Sequence, residues 1–285
     1  MATNTLKFAQ ASTPAPKLRV VWLPLNYQSW TVAISKEDHE SLLNRLQLRL
    51  AYRYSFASYG GFVTLPSSDP DTMTMCASNR MYRFAMTWTH HLPTQQTVVL
   101  CWGKSSLLSR LRGFLDQFRP WMFHPLFPAL LEVRLSDQCA SKLIYETVST
   151  VGGVEMRTKH QNQIFEGTKV AQGTYAQLSA VMSGCASSLT LLNREIKLQQ
   201  SILAAVDAYQ KKTLESGNSA TSAGGIDECV LLLQHRLQRL RDFIETNARR
   251  AEIQLTAVSP IIPHRMPSLS SKPSIFYESL RYTNN

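Results

Sequence analysis

The chain has no long apolar run, no paired cysteines and few charges, and each lack removes a class of protein. No stretch reaches the ~18–20 consecutive apolar residues of a membrane-spanning helix, so the sequence reads as a soluble or peripheral chain. Its five cysteines (Cys76, Cys101, Cys139, Cys185, Cys229) are scattered and odd in number, with no Cys-x-x-Cys pair. That pattern suits neither a disulfide framework nor a zinc site, and it points to a reducing compartment. A secretory signal is missing too, because no apolar core precedes a small-residue cleavage site near the N-terminus. Residues 1–36 contain no acid, but the Arg-rich amphipathic pattern of a transit peptide is absent.

Catalytic constellations are equally scarce. No Gly-x-Ser-x-Gly elbow occurs. Gly103-Lys104-Ser105 lies between a strand pattern and a helix pattern, where a phosphate loop would sit. The first glycine of such a loop would fall at Val98, inside the strand. Gly103 therefore reads as a turn and Ser105 as a helix N-cap. His90 and His91 are adjacent on a strand pattern and so point to opposite faces. With Cys101 and His124 they form no zinc spacing. Asp69 and Asp71, in Ser-Ser-Asp-Pro-Asp, offer the oxygen ligands that Mg2+ prefers and are the candidates for a metal. Two acids flanking a proline also make an ordinary turn. No nucleophile, base and stabiliser can be assembled, so an enzyme is not expected.

What is present is a basic chain of ordinary apolar content. Hydrophobic residues make up 44% and charged residues 18%, with 30 Lys and Arg against 20 Asp and Glu, a formal charge of +10. Such a balance favours anionic partners, either nucleic acid or an acidic membrane surface. Arg236, Arg239, Arg241, Arg249 and Arg250 make the last helix pattern basic. Asp242, Glu245 and Glu252 are interspersed among them, which is how a solvated helix face looks, and a nucleic-acid reader is not expected.

The first hundred-odd residues mix strand and helix signals. Leu18–Pro24 and Thr97–Trp102 are apolar runs of strand length, as for strands covered on both faces. Tyr82, Phe84, Met86 and Trp88 alternate with less oily residues, the pattern of a strand with one apolar face. Thr31–Ser35 and Gly61–Pro66 are further strands. Ser35 with Asp38 resembles a capping box, and behind it Leu42, Leu46 and Leu50 share one helix face. Leu107, Leu108, Leu111, Phe114, Leu115 and Phe118 make a second stripe.

Beyond Pro128 the period changes. Leu131, Leu135, Cys139 and Leu143 recur every four residues until Gly152-Gly153, where the pattern is interrupted. Leu178, Met182, Cys185, Leu189, Leu192, Ile196, Gln199, Leu203 and Val206 then form a heptad seam with one polar member. After a flexible linker at Ser216–Gly225, a second seam runs through Leu233, Leu237, Leu240, Ile244, Ala248, Ala251, Leu255 and Val258. Two long helices joined by a short loop predict an antiparallel pair, the first from about Gly173 to Lys212. The seams are the expected helix-association surface. The fold class is α+β: a small α/β domain over 18–120, a long-helix stalk over 121–258, and disordered ends at 1–17 and 259–285.

Between the two halves lies Trp121-Met-Phe-His-Pro-Leu-Phe-Pro. It is too short to span a bilayer. Pro125 restricts His124 to extended backbone, and Pro128 suits the first turn of the next helix. His124, Pro125 and Pro128 are therefore read as a hinge, with the aromatics packed between sheet and helices.

Val20–Glu37, Tyr59–Pro66, Trp88–Pro93, Val99–Gly103 and His124–Val133 occur in an order that resembles fungal CorA-like magnesium-transporter proteins. Arg249–Val258 is similar to that family's last cytosolic helix. The resemblance covers about Leu18 to Val258. It implies a cytosolic α/β domain followed by long helices, a link to Mg2+, and association as a homo-oligomer or with membrane-bound CorA-like relatives. The family's Gly-Met-Asn pore signature is absent. The resemblance thus implies the cytosolic region without its own pore, cytoplasmic as written, or at a membrane where a longer form carries pore helices. The competing expectation is a basic scaffold for nucleic acid or an acidic membrane surface.

Overall fold

The computed structural model describes residues 18–26, 31–32, 34–57, 60–67, 69–79, 84–122, 124–159, 171–215 and 223–258. The expected disordered ends (1–17 and 259–285), most of the linker after Ser216, and the start of the alternating strand at Tyr82 lie outside the described residues.

Apolar runs and alternating stretches build a six-stranded mixed sheet in the order β2-β1-β6-β5-β4-β3. The strands are β1 (Leu18–Asn26), β2 (Thr31–Val32), β3 (Gly60–Leu65), β4 (Thr72–Asn79), β5 (Phe84–His91) and β6 (Gln96–Gly103). β3 to β6 form an antiparallel meander, and β1 joins β6 in parallel through Leu18↔Thr97 to Pro24↔Gly103. The expected strand over Thr31–Ser35 shortens to two residues against Leu25 and Asn26. β4 was not anticipated: Thr-Met-Thr-Met-Cys-Ala-Ser-Asn has no contrast between its faces because both are buried. β5 is buried on both faces too, with Phe84, Met86 and Trp88 together on the oilier one.

Each face of the sheet has its own cover. On one, Cys76, Ala85, Leu100 and Trp102 pack with Leu43, Leu48 and Ala51. Leu43 comes from α1 (Lys36–Arg45), Ala51 from α2 (Arg49–Ala57), and Leu48 from the turn between them. The continuous stripe expected through Leu42, Leu46 and Leu50 is broken, since α1 is capped at Leu46 and Gln47 adopts a φ of 55°. Leu50 is left exposed. Ser35 caps α1 by accepting the Asp38 N–H, while the Asp38 carboxylate takes the Ser35 hydroxyl and not a backbone donor.

On the other face, Met75, Met86, Trp88, Val99 and Cys101 pack with α3 (Ser105–Gln117), α4 (Phe127–Thr158), α5 (Tyr175–Glu215) and α6 (Ala223–Val258). One apolar cluster runs from the sheet into all three long helices. Ser105 is the first helical residue of α3 and not its cap; Lys104 stands at the cap without a side-chain bond. α4 does not stop at Gly152-Gly153. Both glycines are buried inside it, and the Ala171 N–H donates to the Gly153 carbonyl at 2.9 Å. Helical glycine is disfavoured in solvent, but here packing overrides the local preference. Thr174 and Gln177 form a reciprocal capping box at the start of α5. With 41 residues, α5 is about 60 Å long at 1.5 Å per residue.

Candidate functional site

The junction between sheet and long helices is where the chain places its unusual side chains. The connection runs from a short 3-10 turn at Arg119–Trp121 into α4. His124 opens a turn closed by the Phe127 N–H on its carbonyl at 3.1 Å, with Pro125 in the position that favours its fixed φ. Pro128 falls in the first turn of α4, where a missing N–H costs nothing. The Trp88 indole N–H donates to the Pro125 carbonyl at 2.8 Å, tying the turn to β5. Trp121 stacks near Phe118 at 5.4 Å, and both lean on the shared core.

His124 also accepts the Leu126 N–H on Nδ1 at 3.2 Å. An accepting Nδ1 puts the proton of the neutral ring on Nε2. Burial lowers the His124 pKa to about 4, with His90 adding to the effect. His90 is likewise lowered to about 4 by burial and by His91. Its Nδ1 meets the Thr97 hydroxyl at 2.9 Å, whereas half-buried His91 meets Thr94 at 2.8 Å. His90 and His124 are therefore neutral, hydrogen-bonded rings.

Asp69 and Asp71 lie beside the same strand end, where the Leu92 N–H donates to the Asp71 carbonyl at 2.8 Å. Asp69 accepts the Asp71 N–H at 3.0 Å and the Thr72 hydroxyl at 2.6 Å, so its oxygens hold the turn that starts β4. Those hydrogen bonds, Thr72's first, lower its pKa. Among the described residues, no group of three or more His, Cys, Asp or Glu converges as a metal site would require.

The seams are interior. Leu178, Met182, Leu189, Leu192, Ile196 and Leu203 on α5 are buried, as are Leu233, Leu237 and Ile244 on α6, with Leu240 and Leu255 half-buried. They hold this chain's own helices together. Apolar side chains that do reach solvent lie elsewhere on the same helices: Val181, Leu191, Leu231, Leu232 and Ile253. Gln199, the polar seam member, is wholly buried.

Between α4 and α6 the contact is ionic. Asp137 is buried and accepts Arg236 Nε and Arg134 Nη1, each at 2.6 Å. About five turns beyond, Glu155 receives the Arg250 guanidinium on both oxygens, and Arg250 also donates to Asn247 at 2.7 Å. Arg250 is 6% exposed. The solvated basic face expected on α6 is thus corrected in part: Arg236 and Arg250 turn inward to carboxylates on α4, and Arg241 pairs with Glu245.

Between α4 and α5 the polar contact differs in kind. Glu132 is buried and accepts the Ser136 hydroxyl at 2.8 Å, while Asn79 on β4 donates to the same Ser136 at 3.2 Å. Burial pushes the Glu132 pKa up to about 8 against that Ser136 bond, and Glu195 on α5 adds to the rise. Burial raises Glu195 as well, opposed by a hydrogen bond from Asn79 and by Arg194. Glu132, Asp137, Glu155 and Glu195 are buried, which the apolar periodicity alone does not reveal. A usable signal existed for Glu132, which falls one turn from Pro128 and from Ser136 on a helix with apolar residues all round it.

No protein-family model matches the chain, and a search of curated proteins finds no match.

Proposed function

We propose that this chain is a counterpart of the cytosolic region of CorA-like magnesium-transporter proteins, acting by association and not by catalysis or conduction. The observation that carries the reading is an order along the chain: the described residues of the stretches that resemble CorA-like proteins, from Val20 to Val133, fall on the sheet, the start of α1, the hinge and the start of α4, and α4, α5 and α6 run for 32, 41 and 36 residues. Contacts between α5 and α6 support the antiparallel pair, because Gln200 meets Gln238 while Lys211, later in α5, lies near Asp227, earlier in α6. Among the described residues, no helix is long and apolar enough to cross a membrane.

Since the seams are consumed internally, association uses the outer faces of α5 and α6, where Val181, Leu191, Leu231 and Leu232 are exposed. The partners are further copies or membrane-bound CorA-like relatives in the cytoplasm, with Mg2+ as the family's ion. The competing basic scaffold loses much of its charge on α6 to Asp137, Glu155 and Glu245. The test is Mg2+ flux into liposomes holding the chain, together with light scattering of the free chain. No flux above empty liposomes, with self-association or binding to a CorA-like relative, is expected. Conduction by the chain alone overturns the reading.

A further inference from the structure

The α4–α5–β4 junction holds two interior carboxylates, joined through the Asn79 amide and the Ser136 hydroxyl and near enough for the charge of Glu195 to act on Glu132. Glu132 is 0% exposed and Glu195 is 4% exposed. In each, Oε2 is buried without a hydrogen-bond partner among the described residues. Their other contacts are neutral dipoles: the Ser136 hydroxyl on Glu132, and the Asn79 amide bonded to both Ser136 and Glu195.

The surrounding charges make the point sharper. Glu132 faces Cys76 from β4, Cys139 from its own helix and Glu195 from α5, all of which are neutral or negative when they titrate. Arg194 acts on Glu195. Arg134 and Arg236 converge on Asp137, and Lys104 and Arg110 act on Cys139. In a low-dielectric interior Glu132, stripped of water and repelled by Glu195, does not ionise while Glu195 is charged.

We propose that Glu132 and Glu195 form a proton-operated latch, in which one proton held on the pair seats α4 and α5 against β4, and its release to water at alkaline pH loosens that junction. The deeper burial of Glu132 assigns the proton there, and its pKa near 8 puts release just above neutrality. The direction follows from linkage. The folded chain holds a proton that the unfolded chain releases at the ordinary value of 4.5, so stability falls as pH rises from there and the fall ends once pH passes about 8.

The experiment is thermal melting of the full chain from about pH 6 to about pH 9, alongside infrared difference spectra of the carboxylic acid C=O stretch. The expected result is a midpoint that falls with rising pH, and a protonated-carboxyl band at neutral pH that disappears over the same range. Glu132→Gln removes the band and flattens the melting profile. Glu195→Gln keeps the band but moves its titration to lower pH, since the like charge is gone. Absence of the band in the unsubstituted chain at neutral pH overturns the latch, as does an unchanged profile in Glu132→Gln. If Glu132→Gln does not fold, the band and its shift in Glu195→Gln decide the matter alone.

Discussion

Helix α4 carries Glu155 and Glu132 into the interior near its two ends, and the two are accommodated in opposite ways. Glu155 meets the guanidinium of Arg250 from α6 on both oxygens. Glu132 instead feels the charge of a second acid, Glu195, from α5. A planar guanidinium fork accepts only one registration of its partner, so the α4–α6 contact is fixed in position. A pair of carboxylates is held only while a proton remains, which makes the α4–α5 contact conditional. One helix thus carries a permanent joint and a chemical one.

The comparison breaks most severely at the permanent joint. Arg250→Met leaves Glu155 buried and unpaired, and denaturant unfolding is expected to show a loss of about 3–5 kcal/mol. Adding Glu155→Leu is expected to recover most of it, because an apolar pair of similar volume avoids both desolvation costs. A smaller break lies where α5 reaches the sheet. Gly60 has a φ of 150°, and a Cβ there would stand 2.6 Å from Leu198 and 2.9 Å from the Ser78 carbonyl. Gly60→Ala is expected to cost about 2–3 kcal/mol by thermal melting, and Leu198→Ala to relieve only part of it, since the backbone clash stays.

The acid side sharpens the contrast. His124 has a folded-state pKa near 4, below its ordinary 6.5, so the unfolded chain takes up the proton first. Stability is therefore expected to fall as pH drops from about 6.5 toward about 4, by on the order of 2 kcal/mol. His124→Asn keeps an acceptor for the Leu126 N–H, and in a urea titration it should reduce that slope, with His90 supplying the remainder. Trp88→Phe removes the indole bond to Pro125 and is expected to cost about 1 kcal/mol. Lys211→Ala, at an exposed pair with Asp207, is expected to leave the melting midpoint unchanged.

Much of the sheet was readable from period and composition, because a strand covered on both faces shows as an unbroken apolar run. β1 and β6 announce themselves that way. β4 does not, since Thr, Ser and Asn fill its buried positions, and only the pairing with β3 and β5 explains them. The seams on α5 and α6 were legible residue by residue. Their role was not, because periodicity reveals a buried stripe without saying whether the chain itself or a partner covers it. Helix breaks were misjudged in both directions: Gln47 ends a helix that the leucine spacing would continue, and Gly152-Gly153 continue one that glycine propensity would end. The interior charges were least visible. Nothing local distinguishes Arg250 from Arg249; only the Glu155 side chain, 95 residues earlier, selects one of them.

The measurement closest to the central claim is retention of the full chain on nanodiscs that hold a full-length CorA-like transporter, against empty nanodiscs of the same anionic lipid, at low and high salt. The account predicts retention by the transporter-bearing discs alone, persisting at high salt because exposed apolar side chains on α5 and α6 carry it. Equal retention by both discs, lost as salt rises, would contradict it and leave a basic scaffold drawn to acidic membrane.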